Sequence, residues 1–542
     1  MQRRHFLKLS GLSTAALFFT RSYGAPGLGR QLLHFPSRVD VLTNDGWIPL
    51  SGSKERWTFQ QLTVDLAHAG EALSVRIHAP GIPIRQLSLR WDMRFSPASQ
   101  YLGDQWERSY GDLAWKNPDP TTKAPWYLLV FDGRQTHAFG IKTGARSICC
   151  WQVDPQQLQL VLDMHSGGEG VLLGDRVLHA ADILTTQSTP GETPFRTDAR
   201  FCKMLCERPR LPLKPVYGIN DWYFAYGNNS RELILESTRS MTDLETDTGN
   251  RPFSVIDDGW QGADFSRSNA KFGDMSTVAQ QIKRLGMRPG LWTRPLLANA
   301  TDRPANLLPL RKGESTSSGE RYIDPTIPEN LHRIGDIIRG YHRWGFEMVK
   351  HDYTTYDLFG RWGFQMKDDL TAAGWHFYDR SKTNAEIILG LYQTIREAAG
   401  PLYLIGCNTM SHLSAAIFEL NRIGDDTSGK EWARTLKMGV NTLGFRLPQH
   451  NAFYAVDGDC VGLTTAIPWE KNKQWMQLLA ESGAPLFISA EQAATGTQQR
   501  EFIRTCFTQA ARVQPLAEPL DWLSNPTPAK WRLNDRVMEF NW

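Results

Sequence analysis

The chain has no set of pairable cysteines. Its seven, Cys149, Cys150, Cys202, Cys206, Cys407, Cys460 and Cys506, are odd in number and scattered. That spacing excludes a disulfide framework: most should be buried thiols, with room for one bridge. Cys202-x-x-x-Cys206 has no second pair at finger spacing, so a structural zinc is not expected. Histidine ligands are also scarce where a metal-dependent hydrolase would need them, since only His351 and His412 stand near the ends of apolar runs. No metal or cofactor is therefore expected. Charge of either sign is not in excess, at 60 Lys and Arg against 57 Asp and Glu. That balance offers nothing to attract nucleic acid or an anionic membrane. No apolar run is long enough to span a bilayer. A Gly-rich phosphate turn after an early strand is missing too, which weighs against a doubly wound nucleotide fold.

What is present begins with a leader. Arg3-Arg4-His-Phe-Leu-Lys8 precedes the short apolar run Leu9–Phe19, and small residues follow near Ser22, Gly24 and Ala25. This order reads as an export signal of the twin-arginine type over residues 1–25, and it predicts a periplasmic or secreted protein. Its removal takes away Arg3, Arg4, Lys8 and Arg21 and no acid, turning a slight excess of base into a slight excess of acid.

Residues 26–212 read as a β-sandwich domain. Ala72–His78, Leu87–Phe95 and Leu158–Asp163 alternate with period two, and Trp126–Phe131 is a continuous apolar run ending at the turn signal Asp132-Gly133. The stretch from Tyr101 to Lys116 departs from that pattern, being polar, aromatic and rich in turn residues. Loops of this kind often face a ligand, and the alternative is packing against a neighbouring domain.

Past Leu211-Pro-Leu-Lys-Pro215 the rhythm changes. Strand-like runs at 216–223, 253–258, 288–292, 346–352, 402–408, 421–426, 452–457 and 485–489 alternate with helical segments such as 277–285, 328–344 and 384–399. Eight strands in such a series predict a (β/α)8 TIM barrel over residues 213–511. Residues 512–542 are too few to fold alone and predict a short C-terminal β extension, a hairpin or strand pair packed on the barrel.

In a barrel, chemistry belongs at the C-terminal ends of the strands. Polar residues collect there: Asn220-Asp221-Trp222, Asp257-Asp258-Gly-Trp260, Trp292-Thr-Arg294, Lys350-His-Asp352, Cys407-Asn408, Arg422-Ile-Gly-Asp425-Asp426 and Asp457-Gly-Asp459. Alternation puts Lys350 and Asp352 on one face of their strand and His351 on the other. A neighbouring ammonium would keep Asp352 ionised, as a carboxylate nucleophile requires. Several carboxylates, one Lys, one Arg and Trp faces suit sugar hydroxyls and the apolar side of a pyranose. Retaining glycoside hydrolysis pairs one ionised carboxylate with one protonated carboxyl about 5 Å away, and either Asp425 or Asp426 could be that acid.

The ordered set Asp257-Asp258-Gly-Trp260, Lys350-His-Asp352 and Arg422-Ile-Gly-Asp425-Asp426-Thr427 resembles the clan D glycoside hydrolases, the melibiase-type α-galactosidases of families 27 and 36. The loop Leu102–Trp115 is similar to the N-terminal sandwich loop of family 36, and the resemblance covers roughly residues 100 to 490. It implies an exo-acting retaining α-galactosidase with Asp352 as nucleophile and Asp426, four residues after Arg422, as acid/base. Asp257 and Asp258 would hold the far hydroxyls of the ring. Lys350, Arg422, Cys407, Trp292, Trp222, Asp221 and Trp115 would complete the substrate-binding set, and the partner would be an oligosaccharide or polysaccharide.

Three features depart from the family. Arg294 stands where a small residue is expected, and implies either an anionic or modified galactoside or a pair with a neighbouring acid. His351 and the run Cys407–Met410 differ from the forms associated with plain galactose selectivity. The competing readings are a related glycosidase acting on α-N-acetylgalactosaminide or β-L-arabinopyranoside, a metal-dependent barrel hydrolase, and a non-catalytic carbohydrate-binding barrel.

Overall fold

In the computed structural model, which describes residues 34–244, 249–311, 319–367 and 369–542, the alternating runs of the first third pair into two antiparallel sheets. The expected leader at 1–25 lies outside the described residues. One sheet has six strands, with Arg38–Thr43, Gln86–Asp92, Gln157–Asp163 and Ile148–Asp154 at its centre. The other has eight, among them Leu62–Ala69, Ala72–His78, Val177–Gln187, Thr136–Ile141 and Tyr127–Phe131. Period two sets which residues are buried: Leu62, Val64 and Leu66 are enclosed while Thr63 and Asp65 are half-exposed.

A helix, Pro194–Leu205, leads out of the sheets. Thr193 caps it by accepting from Arg196 N, proline opens its first turn, and Phe195, Phe201 and Leu205 line its buried face. Each such side chain contributes about 1.5–3 kcal/mol on burial.

The second half is built on a curled parallel sheet of nine strands. From one edge it runs Ala455–Asp457, Leu420–Arg422, Tyr403–Gly406, Met348–His351, Arg288–Thr293, Phe253–Ile256, Tyr217–Asn220, Leu486–Ala490 and Cys460–Leu463. All eight runs read as strands from the sequence are present. The ninth arises because one run is interrupted: only Gly458 and Asp459 separate Ala455–Asp457 from Cys460–Leu463, and Asp459 takes φ 72°. The two outermost strands are therefore one stretch of chain, kinked in the left-handed region.

Helices fill the crossovers with ordinary stop and start signals. Met275–Arg284 is capped by Asp274, Pro328–Trp344 begins on proline and ends on Gly345 at φ 91°, and Asn384–Ala399 has a Thr383–Glu386 capping box. The chain ends in three short antiparallel strands, Glu518–Pro519, Lys530–Leu533 and Arg536–Glu539, where a strand pair was the expectation. Fully buried Trp531 and an ion pair of Arg536 with Glu481 dock them. All seven cysteines are buried free thiols. No helix among the described residues is long and apolar enough to cross a membrane.

Candidate active site

Apolar parallel strands end where their backbone runs out of partners, and the polar residues that follow converge at one rim. At the end of Met348–His351, Asp352 stands half-buried. Its Oδ1 accepts from Tyr353 N at 2.7 Å and its Oδ2 from Trp292 Nε1 at 3.3 Å. Tyr353 has φ 62°, a conformation that bulky side chains rarely adopt. Strain of this kind collects at functional sites. The Tyr353 ring lies beneath the Arg294 guanidinium, 4.2 Å from its centroid. Trp292 is itself enclosed, so it meets the site through its N–H rather than as an open stacking face.

Lys350 does not pair with Asp352, which corrects the sequence reading. Its Nζ lies 2.7 Å from Asp257 Oδ2, beyond the intervening Arg288–Thr293 strand. In a curled sheet a long side chain reaches a strand two places away as easily as its own neighbour, and Asp257 is the buried carboxylate in need of a cation. Burial alone would lower the Lys350 ammonium, but the facing Asp257 charge outweighs it and holds the pKa well above the ordinary value. Asp257 also accepts from Asn220 Nδ2 at 2.7 Å. Asp221 lies behind it, accepting from Asp257 N and Asn229 Nδ2, both at 2.7 Å. Burial, then the nearby Asp257 charge, pushes Asp221 up to about 7. Asp221 thus orients the Asp257 backbone rather than facing the opening. Asp258 is more exposed and accepts from Gln261 Nε2 at 2.7 Å, and burial raises its pKa, helped by the charges of Asp257 and Asp352.

The sixth strand ends in a cluster of charge. Arg422, 1% exposed, donates to Asp426 Oδ1 at 2.9 Å and Cys407 Sγ at 3.8 Å and forms an ion pair with Asp459 Oδ2 at 2.8 Å. Asp459 also accepts from Thr427 N at 2.7 Å and from the Tyr223 hydroxyl. Burial raises the Cys407 thiol well above its ordinary range, and Asp352 adds to the effect, so it stays protonated. The Asp426 side chain is 38% open to solvent, yet Arg422 and Arg108 flank it, the latter with Nη1 at 3.6 Å. Burial would raise its pKa; Arg422, Arg108 and Lys350 together overcome that and hold it down at about 2.

Arg108 comes from the antiparallel half. The segment after Gln100–Gly103 crosses to the strand ends, where Ser109 N donates to Ile423 O at 2.7 Å and Asp425 N to Ser109 O at 2.8 Å. Arg446 anchors the crossing: it is 1% exposed, forms an ion pair with Asp104 at 2.9 Å, and donates to Asp104 Oδ2 at 3.2 Å, Ser411 Oγ at 2.7 Å, and the carbonyls of Glu107 and Ile423, both at 2.9 Å. Glu107 in turn accepts from Gly363 N at 2.7 Å and from Asn408 Nδ2 and the Tyr110 hydroxyl.

Nine of the eleven residues singled out from sequence lie in this connected rim or directly behind it: Asp352, Asp426, Asp257, Asp258, Trp292, Lys350, Cys407, Arg422 and Asp221. Half-buried Trp222 stands beside it, its amide donating to Asn220 Oδ1 at 2.9 Å and its ring near Tyr226. Trp115 is not brought in; its ring packs edge-on against Phe131 and Trp522 at 6.3 and 5.4 Å. In that loop an aromatic that packs and one that faces a ligand look alike in sequence. His351 faces the opposite side, enclosed against Phe418 and Tyr392, and burial lowers it to about 3. Arg294 is fully engaged by Asp357 at 2.8 Å and Glu320 at 3.0 Å. Sequence reasoning missed Arg108, Asn220 and Asp459. The first carried no signal beyond its unusual loop, whereas the other two stood in the strand-end runs already noted.

Neither a protein-family model nor a curated protein matches the chain by sequence. Solved structures do resemble it. The α-galactosidase of Thermus thermophilus, in complex with p-nitrophenyl α-D-galactopyranoside, has 18% identity and a TM-score of 0.63 over 93% of this chain and 99% of that one. A family 36 α-galactosidase of Geobacillus stearothermophilus, in complex with raffinose, has 12% identity and a TM-score of 0.61 over 92% and 80%. The α-galactosidase of Lactobacillus brevis has 13% identity and a TM-score of 0.59 over 88% and 75%. The chain therefore has the fold of the family 36 α-galactosidases.

Proposed function

We propose that this chain is an exo-acting retaining α-glycosidase that hydrolyses terminal α-galactosides of oligosaccharides or polysaccharides. In this reading residues 26–212 form a β-sandwich, 213–511 a closed (β/α)8 barrel and 512–542 a short β extension. The observation that carries it is the convergence of Asp352 and Asp426 at one rim, the first served by two N–H donors and the second by two arginines. The fold shared with α-galactosidases supports it.

The reaction runs in two halves. Asp352 attacks the anomeric carbon while Asp426 gives its proton to the glycosidic oxygen, breaking the C–O bond and leaving a glycosyl ester. Water then attacks the same carbon, Asp426 takes its proton, and Asp352 leaves as a carboxylate with the α configuration retained. The ionised Asp426 is in the state that the second half needs, so in the first half a proton has to reach it against the pull of its arginines. Asp257 and Lys350 present a fixed carboxylate–ammonium pair to ring hydroxyls. Because Asp357 and Glu320 already occupy Arg294, a neutral sugar fits better than an anionic galactoside.

Hydrolysis of p-nitrophenyl α-D-galactopyranoside by the wild type, Asp352→Asn and Asp426→Asn, with and without azide, tests this reading. Activity lost in Asp352→Asn and rescued by azide as β-galactosyl azide, with a slowed Asp426→Asn whose turnover azide raises while forming α-galactosyl azide, supports both roles. Absence of wild-type turnover on this and the N-acetylgalactosaminide and β-L-arabinopyranoside counterparts overturns it in favour of a binding module. The reading extends to export through the twin-arginine route. Replacing Arg3 and Arg4 by lysine should keep the protein in the cytoplasm.

A further inference from the structure

Three cations surround Asp426, and two of them have other buried partners. Lys350 is held by Asp257 at 2.7 Å, and Arg422 by Asp459 at 2.8 Å. Arg108 differs. It is 6% exposed, its Nη2 lies 2.8 Å from Asp425 Oδ1, and its Nη1 stands 3.6 Å from Asp426 Oδ1. Asp425 has a second partner of its own, Arg434 Nη2 at 2.6 Å, and that arginine is 38% exposed. Both ends of the Arg108 clasp are fixed by backbone, since the Ser109 bridge to Ile423 and Asp425 keeps the guanidinium in register with the two acids. The Trp362 ring, 5.2 Å from the guanidinium, limits its movement.

We propose that Arg108 is a positioning residue for the acid/base carboxylate: tethered by Asp425, it divides its guanidinium between Asp425 and Asp426 and so sets how readily Asp426 gains and gives a proton. The inference rests on Asp426 being the acid/base. The site is then completed by the antiparallel half, and Asp425 adjusts its neighbour through a shared cation. The low pKa of Asp426 accords with this. The other charged or titratable groups facing Asp426 are Arg422, Lys350, Tyr223, Tyr226 and Tyr353. Arg108 also faces Tyr110, Glu107 and Cys407. None of these changes in the test variants.

The test is the pH profile of kcat/KM on raffinose, whose alcohol leaving group needs a proton, for the wild type, Arg108→Met, Asp425→Asn and the double variant. Losing Arg108 removes a cation, so the alkaline limb should move up by about one pH unit. Losing Asp425 releases Arg108 towards Asp426 and removes a nearby negative charge, so the limb should move down. In the double variant the Asp425→Asn shift should largely vanish, because its carrier is gone. Arg108→Lys should restore much of the wild-type limb. Opposite shifts support the proposal. A loss that is equal at every pH, or shifts in the same direction, overturns it. If Arg108→Met fails to fold, an unmoved limb in Asp425→Asn overturns it alone. If Asp426→Asn keeps the wild-type limb, the assignment of Asp426 as acid/base is what fails.

Discussion

The two corners of the site are built from opposite materials. Around Asp352 the direct partners are neutral dipoles, an indole N–H and a backbone N–H, and the nearest lysine is turned towards Asp257. Around Asp426 they are full charges, with Arg422 and Arg108 on one carboxylate and Asp425 and Asp459 balancing them. Dipoles orient a carboxylate without setting a full counter-charge against it. Charges set its proton affinity firmly and can be rebalanced by a neighbour. A nucleophile needs the first treatment, and a group that must both give and take a proton needs the second.

The sharpest way to break this comparison is to remove each acid and vary the leaving group. Asp352→Asn should cost on the order of 10⁴-fold in kcat/KM on any galactoside. Asp426→Asn should cost roughly 10²–10⁴-fold on an alcohol leaving group and far less on p-nitrophenolate. Equal losses on both substrates would erase the distinction. Next in size is stability. Lys350→Met leaves Asp257 buried without its cation and should cost about 3–5 kcal/mol, seen as a lowered midpoint in urea, because breaking a buried pair exposes the full desolvation penalty. Arg108→Met should cost less, because Arg422 still serves Asp426 and Arg434 still serves Asp425.

A smaller effect probes the dipole corner. Trp292→Phe deletes the 3.3 Å donor to Asp352. It should lower kcat/KM by about fivefold, equivalent to about 1 kcal/mol, alongside a fall in the unfolding midpoint from the lost ring volume. The smallest concerns the back of the same strand. His351 is held neutral, its pKa lowered to about 3 from 6.5, so the unfolded chain binds a proton that the fold refuses. Stability from this group is intact above pH 6.5 and declines as the pH falls from there towards 3. His351→Phe should flatten that acid-side decline and leave stability at pH 8 within about 1 kcal/mol of the wild type. A decline of unchanged steepness would refute the assignment.

The strands were legible because each is a short apolar run that ends in acids, asparagine or arginine, and Asp257, Asp352, Arg422 and Asp426 came with them. The partners were not. Lys350 and Asp352 share a face two residues apart, and only the curl of the sheet reveals that Asp257 competes for the ammonium. Arg108 sits in a loop whose oddness was visible, but its acids lie more than three hundred positions later, and no local pattern encodes that meeting. Trp115 in the same loop reads as a ligand-facing aromatic until Phe131 and Trp522 are seen around it.

The Arg446 anchor bears on how the protein comes into being. Its guanidinium spans 342 positions to reach Asp104 and holds the crossing loop that delivers Arg108. A growing chain cannot make that contact until residue 446 has left the ribosome. Maturation of the acid/base corner is therefore a late event, separated in time from the collapse of either half, and chains stalled before residue 446 would be folded in part yet catalytically mute.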